Sequence, residues 1–154
     1  MKNILKLFLL ISAAVASVSC GRLGQDGPQA LGKMTGEWHL VSTSGLSDVP
    51  PVYVTFSKNL LFEIYQKTGD EVRYTKYEGT YSVKGSVVSG VYSDGETWAC
   101  DYEVSFEGNN LVLTAMNGSK EVNTFEKKAL SDSDKADARP YTDVRSGESS
   151  PRFL

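Results

Sequence analysis

The 154-residue sequence is short of the side chains that carry chemistry: it has two cysteines, Cys20 and Cys100, and one histidine, His39. A nucleophile needs a base within hydrogen-bond reach, and a general base needs a partner to position it. His39 sits between Trp38 and Leu40, so on a strand that turns both of those inward it faces out. Cys100 alternates onto the same side as Trp98 and Tyr102, where a thiol behaves as a small hydrophobe. No nucleophile meets a base, and the residues predict a non-enzymatic protein with no catalytic residue, no metal site and no cofactor. Asp94, Glu96, Asp101 and Glu103 crowd one hairpin, but Asp101 and Glu103 alternate outward without the loop spacing of a calcium site. Positive charge is also in deficit. Sixteen basic against nineteen acidic residues give a net charge of −3, which argues against nucleic acid as a partner. The one apolar stretch of any length, Leu7 to Val18, is too short to span a bilayer.

That stretch follows Lys2 and Lys6 and is succeeded by small residues, the layout of an export signal over residues 1–19. At its end, Ser17-Val18-Ser19-Cys20-Gly21 resembles the lipobox of bacterial lipoproteins, with Ser19 as the small residue before the cysteine and Ser17 where leucine is usual. The resemblance implies lipid attachment at Cys20 and a lipid bilayer as partner through the acyl anchor. Cleavage after Ala14-Val15-Ala16 is the alternative, and would leave Cys20 a free thiol. Removing residues 1–19 takes away Lys2 and Lys6 and no acid, so a charge of −3 becomes −5 on a mature chain of 135 residues. That length suits one domain with a real core. With Cys20 lipidated, Cys100 has no disulfide partner, and stability falls to the core alone.

Residues 20–32, rich in glycine, read as a flexible tether, with a short helical turn at residues 28–35. From residue 33 to 128, alternating apolar and polar residues recur in short runs between turn signals, which predicts an all-β, eight-stranded up-and-down antiparallel meander closing into a barrel. Residues 129–154 are rich in Asp, Ser, Lys and Arg and read as a polar, disordered tail. The turns predict the pairing. A two-residue loop at Asp94-Gly95 pairs Val91 with Trp98, Ser89 with Cys100 and Val87 with Tyr102. Gly108-Asn109 sets Phe106 against Leu111 and Val104 against Leu113, and Asn117-Gly118 brings Val122 opposite Leu113. Three-residue loops at Ser57-Lys58-Asn59 and Lys84-Gly85-Ser86 pair Phe56 with Leu60, Val54 with Phe62, Val83 with Val87 and Tyr81 with Ser89. Asn117-Gly118-Ser119 also matches a glycosylation sequon, and the turn reading takes precedence.

Met34-Thr35-Gly36-Glu37-Trp38-His39-Leu40-Val41, then Val54-Thr55-Phe56, Gly79-Thr80-Tyr81-Ser82-Val83 and Asn110-Leu111-Val112-Leu113, resemble the lipocalin-like domain of small Gram-negative envelope lipoproteins. The resemblance covers residues 31–128 and implies an eight-stranded barrel and export, without naming a ligand. By the same analogy, the absence of an acidic residue in Gly21-Arg22-Leu23 points to the outer membrane.

The two barrel ends differ in filling. One collects Trp38, Phe56, Leu60, Val83, Val87, Phe106 and Leu111, enough bulk to plug it. The other collects Ser42, Val52, Ile64, Tyr77, Val91, Trp98 and Ala115 under the long Thr43–Pro51 loop. Ser42, Tyr77, Trp98 and Cys100 are the candidate lining of a site for a small apolar or amphipathic ligand. In the competing reading the barrel is solid, and its acidic surface or its tail contacts other envelope proteins or surface glycans.

Overall fold

The computed structural model describes residues 27–143 and 152–154. The predicted signal segment, Cys20 and the first residues of the tether lie outside these. Eight strands follow one another as a meander: β1 (Gly36–Thr43), β2 (Val52–Phe56), β3 (Leu61–Gln66), β4 (Thr75–Lys84), β5 (Val87–Tyr92), β6 (Tyr102–Glu107), β7 (Asn110–Ala115) and β8 (Val122–Lys127). Each is antiparallel to the next, β3 pairs with β4, and β8 returns to β1. The all-β, eight-stranded closed barrel expected from the alternation is the fold found. Closure leaves none of these eight strands as an open edge.

Helix α1 (Gly27–Met34) caps the end where β1 begins. It takes residues assigned to the tether, so the folded domain starts earlier than residue 33. Met34 is fully buried, and the indole Nε1 of Trp38 donates to the Met34 carbonyl at 2.7 Å, satisfying one of the helix's terminal carbonyls. Above this cap, rings fill the barrel. Phe56 meets Tyr81 edge-on at 5.1 Å, Phe62 meets Trp98 at 5.1 Å, and Phe62 meets Tyr92 at 5.4 Å. These are favourable edge-to-face separations.

Register follows the turns at some hairpins and departs at others. Phe106 faces Leu111 and Val104 faces Leu113, as Gly108-Asn109 predicts. The β2–β3 loop has three residues as expected, but it sits one position later, with Leu60 in the left-handed region, so Phe56 pairs with Phe62 and Val54 with Ile64. A shift of two leaves the faces unchanged. The β4–β5 turn is shorter than expected, just Gly85-Ser86, which pairs Val83 with Val88 and Tyr81 with Gly90. That one-residue slip turns the β5 face over. Val88, Gly90 and Tyr92 are buried, and Val91 is 42% exposed.

The Asp94-Gly95 turn also differs. It closes with Tyr92 N–H donating to Glu96, Val91 bridges Thr97, and at the far end Val87 pairs with Glu103. The sum of paired numbers rises by two between these points, so residues 98–101 form an irregular excursion rather than ladder. Between β7 and β8, Leu113 pairs with Asn123 instead of Val122, because the turn extends to a left-handed Lys120. Asn123 is therefore fully buried, and it is satisfied: Thr43 Oγ1 donates to its Oδ1 at 2.9 Å, and its Nδ2 donates to Glu121 at 3.1 Å.

The expectation of a disordered tail is overturned for the described part of residues 129–154. Leu130 fills a second cluster with Tyr65 and Tyr74 on the barrel's outer side. Ser131 caps α2 (Asp132–Asp137), accepting from the Asp134 N–H, and β9 (Arg139–Pro140) runs parallel to β4. Ion pairs Lys135–Glu37 at 2.7 Å and Arg73–Asp137 at 3.3 Å tie this wrap to the barrel. A few anchors in a hydrophilic stretch order it, and averaged composition hides them.

At Gly79 neighbouring backbone leaves no room for a side chain. A Cβ there would lie 2.1 Å from the Val91 carbonyl oxygen and 2.8 Å from the Phe62 ring. Gly79→Ala should therefore destabilise the barrel by about 1–3 kcal/mol or more through overpacking against backbone. Urea denaturation checks this, and wild-type stability would show that the wall can yield at that point.

Candidate functional site

The end of the barrel opposite α1 is its mouth, formed by the start of β2, β4 and β8 and the close of β3, β5 and β7. Residues Arg152-Phe153-Leu154 close it. Leu154 is only 2% exposed and belongs to the main core, and the Tyr92 hydroxyl donates to its carbonyl at 2.7 Å. The Phe153 N–H donates to Gln66 Oε1 at 3.1 Å, and the Phe153 ring stands edge-on to Phe125 at 6.0 Å.

Arg152 is held by charge and by rings. Its guanidinium donates through both Nη atoms to the Asp94 carboxylate. It also lies 4.4 Å from the centroid of Tyr92 and 4.6 Å from that of Tyr141, within cation–π range on two faces. Tyr141, on the 3-10 turn Tyr141–Asp143, stacks on Tyr77 at 4.9 Å. Beside the guanidinium a cleft of about 270 Å³ remains, lined by Lys76, Tyr77, Tyr92, Asp94, Tyr141 and Arg152 among others. Burial raises the Tyr92 phenol well above its usual range, and it raises Tyr77 too, with Tyr141 adding to the effect.

Magnitudes show how firmly this closure holds. Burying Leu154 and part of Phe153 contributes about 3–5 kcal/mol. Ordering three backbone residues and their side chains costs about the same. Apolar burial alone leaves the segment near balance, and the polar contacts of Tyr92, Gln66 and Asp94 decide its position.

The four predicted lining residues do not form one site. Ser42 is displaced by a bulge at Val41: Leu40 pairs with Phe125, but Ser42 pairs with Thr124 and Thr43 takes the place opposite Asn123. Tyr77 is at the mouth. Trp98 lies deeper, three ring contacts from Tyr77 by way of Tyr92 and Phe62. Its indole covers Gly90 so closely that a Cβ there would fall 2.1 Å from the ring, and its Nε1 has no hydrogen-bond partner among the described residues. Cys100, half-buried and free, lies with Trp98 beside a separate open cleft of about 570 Å³ on the barrel's flank. There it bonds the Tyr102 hydroxyl, whose pKa is raised first by burial and then by that thiol.

Sequence reading missed Tyr92, Asp94, Gln66, Tyr141 and Arg152–Leu154. The signal present was a Phe-Leu pair ending a polar stretch. His39 is on the outer face as expected, stacked on Tyr53 at 4.5 Å with its Nδ1 3.1 Å from Glu126.

Asp94 gives the site a pH dependence. The Arg152 hydrogen bonds hold its carboxyl below the ordinary carboxylate range. Stability from the pair is thus complete above the unfolded value, about 4, and is lost as pH falls through the depressed folded value. The difference in Tm between wild type and Asp94→Asn should be constant above about pH 5 and shrink as the pH falls below the ordinary carboxylate range, about 4. A difference independent of pH would exclude the pair. Trp98→Ala should cost about 3–5 kcal/mol in chemical denaturation, as for a large buried aromatic; a loss under about 1 kcal/mol would show that the ring lines an open cavity.

Compared with known protein families, the chain matches the lipocalin-like domain over residues 34–113, from the end of α1 through most of β7. No curated protein matches it.

Proposed function

From the premise that this chain belongs to the lipocalin-like domain family, we propose a non-enzymatic binding module of the cell envelope, anchored through lipid on Cys20, that takes a small amphipathic ligand at the mouth of its barrel. One observation carries the binding reading: the mouth already receives an amphipathic group, with a cation gripped at the rim and two apolar side chains below it. A few placed polar groups, Asp94, Tyr92 and Gln66, orient an otherwise apolar insertion, the usual economy of a small-molecule site. The anchor rests on the sequence alone, on Ser19-Cys20 after an export signal. The outer membrane is the location that Gly21-Arg22-Leu23 favours by analogy.

A second reading, a solid interaction module that contacts envelope proteins or glycans, is favoured by the filled interior and by the size of the mouth cleft. At about 270 Å³ that cleft is below the roughly 300 Å³ at which small-molecule sites begin.

Tryptophan emission separates the two. Trp98 touches Phe62, which touches Tyr92 at the mouth, so a ligand seated there should shift Trp98 emission, and Trp98→Phe should remove the shift while Trp38 still emits. Silence across lipids, haem and sterol-like compounds would favour the solid module. For the anchor, a tagged fatty acid should label the wild type and not Cys20→Ala; label kept after that substitution would refute lipidation there.

A further inference from the structure

The contacts that hold Arg152-Phe153-Leu154 are of two kinds. Asp94 with Tyr92 and Tyr141 recognises a guanidinium, as a carboxylate fork and two ring faces do. Tyr92 and Gln66 recognise peptide backbone, one donating to a carbonyl and the other accepting from an N–H. A fatty acid could accept from Tyr92 with its carboxylate, but it would offer Gln66 no N–H and would leave Asp94 without its cation. The segment joins no strand, so its position is set by these side chains rather than by a β-ladder. It also lies outside the part of the chain that matches the family.

We propose that the mouth is a receptor for short peptides in which an arginine precedes two bulky apolar residues, and that Arg152-Phe153-Leu154 is its occupant in cis. This rests on the binding reading of the mouth and names its ligand class. A peptide in trans competes with a segment tethered to the same chain, whose effective concentration is of the order of millimolar. Its apparent affinity for the wild type is reduced by the fraction of mouths left open.

Acetyl-Arg-Phe-Leu tests the proposal by isothermal titration calorimetry on the full chain. Arg152→Ala with Leu154→Ser should bind the peptide at least ~10-fold more tightly than the wild type. Adding Asp94→Asn should remove most of that gain, and acetyl-Glu-Phe-Leu should not bind. Equal binding by wild type and double variant, or indifference to Asp94, would overturn the proposal. If circular dichroism shows the double variant unfolded, NMR of the wild type replaces it. Peptide at about 10 mM, above the tethered concentration, should move the Leu154 methyl signals from their ring-shifted positions, and unmoved signals would overturn it. A Trp98 response to lipids or sterols with no peptide binding refutes the peptide class and leaves the binding reading standing. Silence in both assays refutes both, and peptide binding with a silent lipid panel supports the peptide class.

Discussion

Everything in this molecule follows from the narrowness of an eight-stranded barrel, whose interior holds either its own side chains or one small guest. Here the interior between α1 and the mouth is committed to rings. Phe56, Phe62, Tyr81, Tyr92 and Trp98 lie edge to face, and the wall accommodates them only because Gly79 and Gly90 carry no side chain where they would collide. With α1 capping the bottom and the middle full, the mouth is, among the described residues, the place where a guest and the chain's own side chains would compete. The chain fills it with its own Arg152–Leu154, at close to zero net apolar gain, so specific polar contacts govern occupancy.

The barrel was legible in the sequence because period-two alternation survives local errors. A loop misread by two residues, as between β2 and β3, leaves every side chain on its proper face. One misread by a single residue, as between β4 and β5, exchanges faces, and that is why Val91 was expected inside and Tyr92 was not. Bulges act similarly. The extra residue at Val41 turns Ser42 away from the mouth, and a bulge leaves no composition signal to read in advance.

The site was less legible for a different reason. Its parts come from β3, β4, the β5 turn, the Tyr141 turn and residues 152–154, so no window of sequence contains it. Asp94 read as one of several acids on a hairpin; its meaning depends on Arg152, 58 residues later. The same distance defeats composition, since Leu130, Tyr141, Phe153 and Leu154 are a small minority in a hydrophilic stretch, yet they fix its course.

Helix α1 has a consequence for orientation. The chain enters the barrel at the sealed end, where Met34 meets Trp38, and the mouth stands at the other end of β1, an eight-residue strand. At about 3.3 Å per residue and the usual tilt, the two ends are roughly 20 Å apart. A protein held by residues ahead of Gly27 would therefore present its mouth outward, away from the holding surface. Under the proposed Cys20 anchor and the proposed binding role, guests would arrive from the aqueous side, and the bilayer would serve as a mooring rather than as the reservoir from which the barrel is filled.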